Sequence, residues 1–435
     1  MARRKCHTLK LITYLCVVCV SLDLLLTFLT NMESEGVTDT APTEATAENK
    51  ENSTDKAAFG ELPNFRKKIS APLPKTFWQT GVRSQGLWND LQEDVDMHFN
   101  PILRPKNDTS QYEDRVFTKL VMNQSFSKIS NFTNTNDEEQ LPRMLQDFVH
   151  NMQRRDYPVL IQPRGVCGAG AQEETEFPLL LLAIKSIVSN FKGRQAIRNS
   201  WGRTGWASGG GGGGYVRRIF LLGTSSEQQN INLAESLQSE SSLYGDILQW
   251  DFKDTAFNQT LKDVLFWRWS SLFCEGTQFV FSGDDNVFVN VPKMVTYLQE
   301  QLKSPRAEEK MKNFIVGKVV QKEAKYFFPD SFYQGTFPVF VDTVGLVYSG
   351  HLTQRLNQIS RRVHLFPIDN IYLGMCLLRL KVDPVHHPTF LKSGSSESYL
   401  KDICVYHKIM VVETPNHRDL GKIWARLNST QSQCS

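Results

Sequence analysis

Phe177-Pro178-Leu179-Leu180-Leu181-Leu182-Ala183-Ile184 is a continuous apolar run with none of the polar alternation of a half-exposed strand. Such a run is expected of a strand buried on both faces, as in a parallel sheet covered by helices. Outward from it the pattern repeats. A helical stretch at 194–201 is followed by a strand at 218–222, a polar helix at 227–240 and a strand at 246–250. An amphipathic helix at 261–272 and a strand at 278–281 complete the series. Strands alternating with helices predict an α/β domain with a doubly wound, mostly parallel sheet, whose ligands bind outside the carboxyl ends of the strands. The glycine run at 209–214 precedes a strand instead of following one and lacks the Lys-Ser/Thr ending of a phosphate loop, so it reads as a hairpin loop.

The chain has 435 residues, 40% of them hydrophobic and 22% charged, which is enough apolar material for a large folded domain and excludes a disordered protein. A formal charge of +3 with acids and bases intermixed leaves no basic stripe, so nucleic acid is not an expected partner.

At the N-terminus, residues 11–29 form an apolar run of bilayer-spanning length interrupted by Thr13, Ser21, Asp23 and Thr27. A mid-membrane Asp costs about 2.5–3.5 kcal/mol, which a dozen Leu, Ile, Val and Phe residues at roughly 0.3–0.6 kcal/mol each offset. Arg3, Arg4, Lys5 and Lys10 precede the run and Glu33, Glu35 and Asp39 follow it, which sets the N-terminus in the cytoplasm. No small-x-small cleavage site follows, so the run is expected to stay as an anchor and not leave as a signal peptide. The expected organisation is a cytoplasmic tail (1–10), a type II signal anchor (11–30), a solvated stem (31–60), an irregular wrapping segment (61–165) and a lumenal domain (166–435).

Six Asn-x-Ser/Thr sites, at Asn52, Asn107, Asn123, Asn131, Asn258 and Asn428, all fall on the predicted lumenal side. Of eight cysteines, Cys167, Cys274, Cys376, Cys404 and Cys434 fall there too, and an odd five leaves at least one unpaired or intermolecular. Cys376 is expected to pair with Cys404, closing the loop between them. None of these five forms a Cys-x-x-Cys, so a structural zinc site is not expected in the lumenal domain.

After the 278–281 strand comes Gly283-Asp284-Asp285-Asn286-Val287-Phe288-Val289-Asn290. Acids at a strand's carboxyl end suit a hard divalent cation, although the same residues also suit a turn.

With that motif the sequence resembles the β-1,3-glycosyltransferases, a family that includes β-1,3-galactosyl- and β-1,3-N-acetylglucosaminyltransferases. The resemblance covers residues 177–424. It rests on Arg194-Gln195-Ala196-Ile197-Arg198-Asn199-Ser200-Trp201-Gly202, Phe220-Leu221-Leu222-Gly223, Tyr244-Gly245-Asp246, Asp251-Phe252-Lys253-Asp254-Thr255, the Gly283 motif and Phe366-Pro367-Ile368-Asp369-Asn370-Ile371-Tyr372-Leu373-Gly374-Met375-Cys376. Trp88-Asn89, Phe99-Asn100-Pro101-Ile102-Leu103 and the Pro367-Ile368-Asp369 lead-in look like the branch that extends lactosamine chains. The resemblance implies a GT-A fold, a Golgi membrane location, UDP-N-acetylglucosamine as donor and a galactose-terminated glycan as acceptor. It also implies inversion at the anomeric carbon, Mn²⁺ or Mg²⁺ on the diphosphate, and homo- or hetero-oligomers with related transferases.

Carried over by position, the donor side comprises Ala183, Lys185, Arg194, Arg198, Asp284, Asp285 and Gly345. For Arg194 and Arg198 a donor-site role and a structural ion-pair role are both open. The metal set would be Asp284, Asn286 and Glu413, with Asn286 replacing the family's last acid and Glu413 its histidine. The family's general base falls on Asn370, which accepts no proton, while Asp369 is expected to point about 100° away around the helix. The family's four-glycine loop reads Asp342-Thr343-Val344-Gly345, so Thr343 and Val344 are expected to narrow the sugar pocket. These substitutions leave two further readings beside an active transferase: a weakened paralogue that partners an active enzyme, and a glycan-binding module.

Overall fold

The computed structural model describes residues 86–99, 125–133, 141–165, 167, 177–209, 212–225, 231–320, 328–392, 404–414, 417–430 and 434. All belong to the compact unit Lys56–Ser435. The anticipated anchor and stem, and the sequons at Asn52, Asn107 and Asn123, lie outside the described residues. Among those described, no helix is long and apolar enough to cross a membrane.

The strands are β1 (Val159–Ile161), β2 (Leu180–Lys185), β3 (Gly205–Gly209), β4 (Gly212–Thr224), β5 (Ile247–Lys253) and β6 (Phe279–Asp284). They continue as β7 (Val287–Val289), β8 (Ile315–Val320), β9 (Phe340–Ser349), β10 (Val385–His386), β11 (Phe390–Leu391) and β12 (Val411–Glu413). Among the described residues the main sheet is nine-stranded, in the order β1-β5-β4-β2-β6-β9-β8-β10, with β3 paired to β4. Its centre, β5-β4-β2-β6, is parallel, and β1 and β9 run antiparallel to their neighbours. The molecule is therefore mixed α/β with a central, mostly parallel sheet, an arrangement that fits a GT-A fold.

The apolar run at the start of the argument is the reason for this centre. All six residues of β2 are buried, and the five apolar ones divide between two cores. Leu181 and Ala183 face one with Ile219, Leu265 and Tyr372, whereas Leu180, Leu182 and Ile184 face the other with Ile197, Phe220 and Val295. Period-two alternation in a strand covered on both sides gives this split.

The glycine run is a hairpin, with Gly209 opposite Gly212 across β3 and β4. It also lengthens β4 to thirteen residues, well beyond the 218–222 expected. The wrapping segment contributes the helix Leu87–Phe99, which the Asp96 carboxylate fixes to Arg379 through two bonds of 2.9 and 2.6 Å. Trp88 Nε1 adds a bond to Leu365 O at 3.1 Å.

The cysteine expectation is corrected. Cys404 pairs with Cys434 and Cys167 with Cys274, while Cys376 is free and buried. Cys376 sits in the helix Asp369–Leu380, fully buried among the apolar side chains of the first core. A helix held in that core presents its thiol to the interior and away from Cys404, which a chain-end helix brings to Cys434 instead.

Candidate functional site

At the carboxyl ends of β2 and β6 a cavity of about 30 Å³ is lined by Lys185, Gly283 and Asp284 from these strands, and by Asp369, Asn370 and Asp263 from two helices. β9 adds Asp342, Thr343, Gly345 and Tyr348. This is where a doubly wound sheet binds ligands, although the volume holds no more than a water or two.

Lys185 organises the floor. Its ammonium lies 2.7 Å from Asp263 Oδ2 and 2.5 Å from Asp369 Oδ2, joining β2 to the helices Gln259–Phe273 and Asp369–Leu380. Burial opposes its charge, but the carboxylates of Asp263, Asp369 and Asp284 outweigh burial and hold Lys185 far above the ordinary lysine range. Asp369 is kept below the usual carboxylate range despite burial, because Lys185 and the backbone N–H of Asn370 bond to it. Burial pushes Asp263 up to about 6, with the Asp369 charge adding to it. Asp284 is pushed up to about 7 by burial and by the charges of Asp369 and Asp285, which outweigh Lys185. The cluster thus carries more carboxylates than one ammonium neutralises.

The expectation that Asp369 points away from Asn370 is corrected. Both line the same cavity, because they occupy the first turn of their helix. There neither side chain is covered by a preceding turn, and Asn370 Oδ1 accepts from Ile371 N at 2.9 Å.

Asp285 turns from the cavity toward the helix Phe191–Asn199. Its Oδ2 accepts from Ser186 Oγ and from Asn190 Nδ2, both at 2.6 Å, and Asn190 in turn caps that helix by accepting from Gly193 N. The open question over the two arginines closes on structure. Arg194 is fully buried and donates to Glu240 at 2.9 and 2.7 Å and to the carbonyls of Ile187 and Val188. Arg198 donates to Asp246 at 2.9 and 2.7 Å and to Glu240 at 2.6 Å. With Arg218, also on Asp246, they form a buried ionic cluster whose charges are met by Glu240 and Asp246 inside the protein. Ala183 is likewise corrected: it is fully buried in mid-strand between Ile219 and Ser282, two residues short of the strand end where the cavity opens.

The loop that replaces the four glycines is a bulge. Gly317 pairs with Leu346 and Val319 with Val341, so four residues of β9, at 342–345, stand opposite Lys318 alone. A bulge breaks the period-two alternation and re-aims side chains. Asp342 and Thr343 both reach the cavity, with Thr343 N and Oγ1 donating to Asp342 Oδ1 at 2.8 and 3.3 Å. Val344 instead turns into the core at 1% exposure, so the expectation that it narrows the pocket is corrected, and only Thr343 remains at the mouth. Gly345 has φ +127°, and a Cβ there would meet the Phe281 ring at 2.9 Å, so the position requires glycine.

The proposed metal set is brought together in part. β12 pairs antiparallel with β7, placing Glu413 opposite Val287, and Thr414 N donates to Asn286 O at 2.7 Å, so Asn286 and Glu413 are neighbours beyond the end of β6. Among the described residues no three His, Cys, Asp or Glu side chains form a metal-binding group. A donor set here depends on the Asn286 amide oxygen, which has the hardness a divalent cation takes. A cation beside Asp284 would offset the burial, and the neighbouring charges of Asp369 and Asp285, that raise it.

Sequence reasoning missed Asp263, Tyr348 and Trp267 in the lining. A Lys262-Asp263 pair at the start of the mostly apolar stretch 261–269 was the available signal for the first, since buried charges need partners. Of the described sequons, Asn131 and Asn428 are exposed, whereas Asn258 is half-buried with Nδ2 donating to Lys253 O at 2.8 Å.

A galactosyltransferase family model matches residues 192–388. N-acetyllactosaminide beta-1,3-N-acetylglucosaminyltransferase 2 of Homo sapiens is 35% identical over 385 residues, covering 85% of this chain and 91% of that protein. The Mus musculus protein of the same name is 37% identical over 373 residues, 83% of this chain and 89% of that one. UDP-GlcNAc:betaGal beta-1,3-N-acetylglucosaminyltransferase 9 of Homo sapiens is 35% identical over 311 residues, 65% of this chain and 74% of that protein. On this likeness across most of its length, the chain belongs to the β-1,3-glycosyltransferase family.

Proposed function

We propose that this chain is a type II Golgi membrane protein that binds UDP-N-acetylglucosamine and transfers N-acetylglucosamine, with inversion, to the 3-hydroxyl of galactose in lactosamine-type glycans. The supporting observation is the gathering of Lys185, Gly283, Asp284, Gly345, Asp369 and Asn370 around one cavity at the strand carboxyl ends. Asp284, Asn286 and Glu413 would hold Mn²⁺ or Mg²⁺, and the cation would neutralise the diphosphate as it leaves. Asn370 accepts no proton, so transfer at full rate needs a base elsewhere in the site, a contribution typically worth about 10²–10⁴-fold.

A second reading is a non-catalytic partner of a related transferase, or a glycan-binding module, and Asn370 with the 30 Å³ cavity favours it. Residues 60–435, assayed with UDP-N-acetylglucosamine, Mn²⁺ and a lactosamine acceptor, separate the two. Product carrying a new β-1,3 linkage supports transfer; donor binding with no product, or glycan binding alone, supports the second reading.

A further inference from the structure

The chain lacks a carboxylate at Asn370 yet carries one, Asp342, where the family has glycine. The fold brings both positions to one cavity. Asp342 lines it from the β9 bulge, where four residues stand against Lys318 and adjacent side chains, Asp342 and Thr343, both reach the cavity. Its orientation is fixed from one side only: Thr343 N and Oγ1 both donate to Oδ1, while Oδ2 has Lys318 Nζ at 3.8 Å, beyond hydrogen-bond reach. Lys392 Nζ lies 3.7 Å from Oδ1. Two ammonium groups thus flank a carboxylate that keeps one oxygen for a donor hydroxyl, at the mouth of the cavity and not on its floor.

The other acids of the cavity are less suited, Asp284 being the one proposed to hold the cation. Asp369 has both oxygens engaged, one by Lys185 and one by Asn370 N. Asp263 is tied to Lys185 deep against Trp267 and Tyr348.

Resting on the reading that this cavity takes a UDP-sugar, we infer that Asp342 is the catalytic base of this chain, relocated from the helix start at Asn370 to the β9 bulge. Asp342 Oδ2 accepts the proton of the acceptor hydroxyl while that oxygen bonds to the anomeric carbon. The bond from that carbon to the diphosphate breaks, and UDP leaves with the electron pair.

The test uses residues 60–435 as wild type, Asp342→Asn, and the swap Asp342→Gly/Asn370→Asp, with UDP affinity and transfer to a lactosamine acceptor measured on each across pH. The expected result is that Asp342→Asn lowers turnover about 10²–10⁴-fold and abolishes the acid limb of the rate–pH profile, with UDP affinity unchanged, and that the swap recovers turnover. Wild-type turnover by Asp342→Asn overturns the inference, as does a wild type that binds UDP but transfers only once Asn370→Asp is introduced. A wild type that binds no UDP-sugar overturns the underlying reading, and the assignment with it.

Discussion

Asp369 Oδ2 lies 2.5 Å from Lys185 Nζ, and through that one ammonium, also 2.7 Å from Asp263, the central strand holds the helix start that carries Asn370. All three side chains are at most 18% exposed. Breaking a buried pair by deleting one partner leaves uncompensated charge and costs about 3–5 kcal/mol. Lys185→Met should be destabilised by that order in urea unfolding, and Lys185→Met/Asp263→Asn should recover part of the loss. A Lys185→Met protein as stable as wild type would mean the carboxylates find other partners.

The two bulge substitutions should separate. Val344→Gly removes a core side chain and is expected to destabilise by about 2–4 kcal/mol, whereas Thr343→Gly touches only the cavity mouth and should change stability by less than about 1 kcal/mol. Thr343→Gly should instead strengthen UDP-sugar binding in calorimetry by widening the pocket. Equal melting losses for both variants would contradict the inward turn of Val344.

How far the sequence carried follows from what each feature depends on. β2 was legible because burial on both faces writes itself as an unbroken apolar run, and the strand–helix alternation around it follows from the same local patterning. The bulge at 342–345 was not, since it exists only as a register shift against β8, and register is a property of two strands. Arg194 and Arg198 stayed ambiguous for the same reason: their partners Glu240 and Asp246 lie more than forty residues away, with nothing local to mark them. Cys376 was misassigned because spacing along the chain says nothing of which way a buried helix turns its thiol.

His364 gives the folded state an acid liability. Burial, then the nearby Arg155 charge, pushes its imidazole down to about 3 from an ordinary 6.5, and Gln153 Nε2 meets Nδ1 at 3.2 Å. The folded state holds it neutral while the unfolded chain protonates it. Its stabilisation is therefore present above about pH 6.5 and lost as pH falls toward about 3. The slope approaches about 1.4 kcal/mol per pH unit. Urea midpoints between pH 7 and 4 should fall less steeply for His364→Gln, and identical slopes would exclude this residue as the cause.

The disulfide pattern makes a chemical prediction. Peptide mapping without reduction should recover Cys167 joined to Cys274 and Cys404 joined to Cys434, with Cys376 alkylated only after unfolding. Because Cys167 and Cys274 are 107 residues apart, removing that bridge should cost about 4–5 kcal/mol in the chain-entropy model. Cys376 labelled in the native protein would show that its helix is not packed as described.

Asn286 and Glu413 meet through the β7–β12 ladder, and this adjacency makes the cation reading testable without any turnover. An amide oxygen contributes a dipole to a hard cation and a carboxylate contributes a full charge, so Asn286→Asp should tighten Mn²⁺-dependent UDP binding by roughly tenfold, about 1.4 kcal/mol. Glu413→Gln should weaken it in the same measurement. Neither change should alter UDP binding in chelator, because both act through the ion. Turnover should not rise with the tighter binding of Asn286→Asp, since a better-held diphosphate gives the acceptor proton no new destination. Titration calorimetry with UDP, with and without Mn²⁺, decides the matter. If affinity is the same with and without Mn²⁺ in all three proteins, no cation is held at this strand end, and diphosphate binding must rest on the protein's own donors.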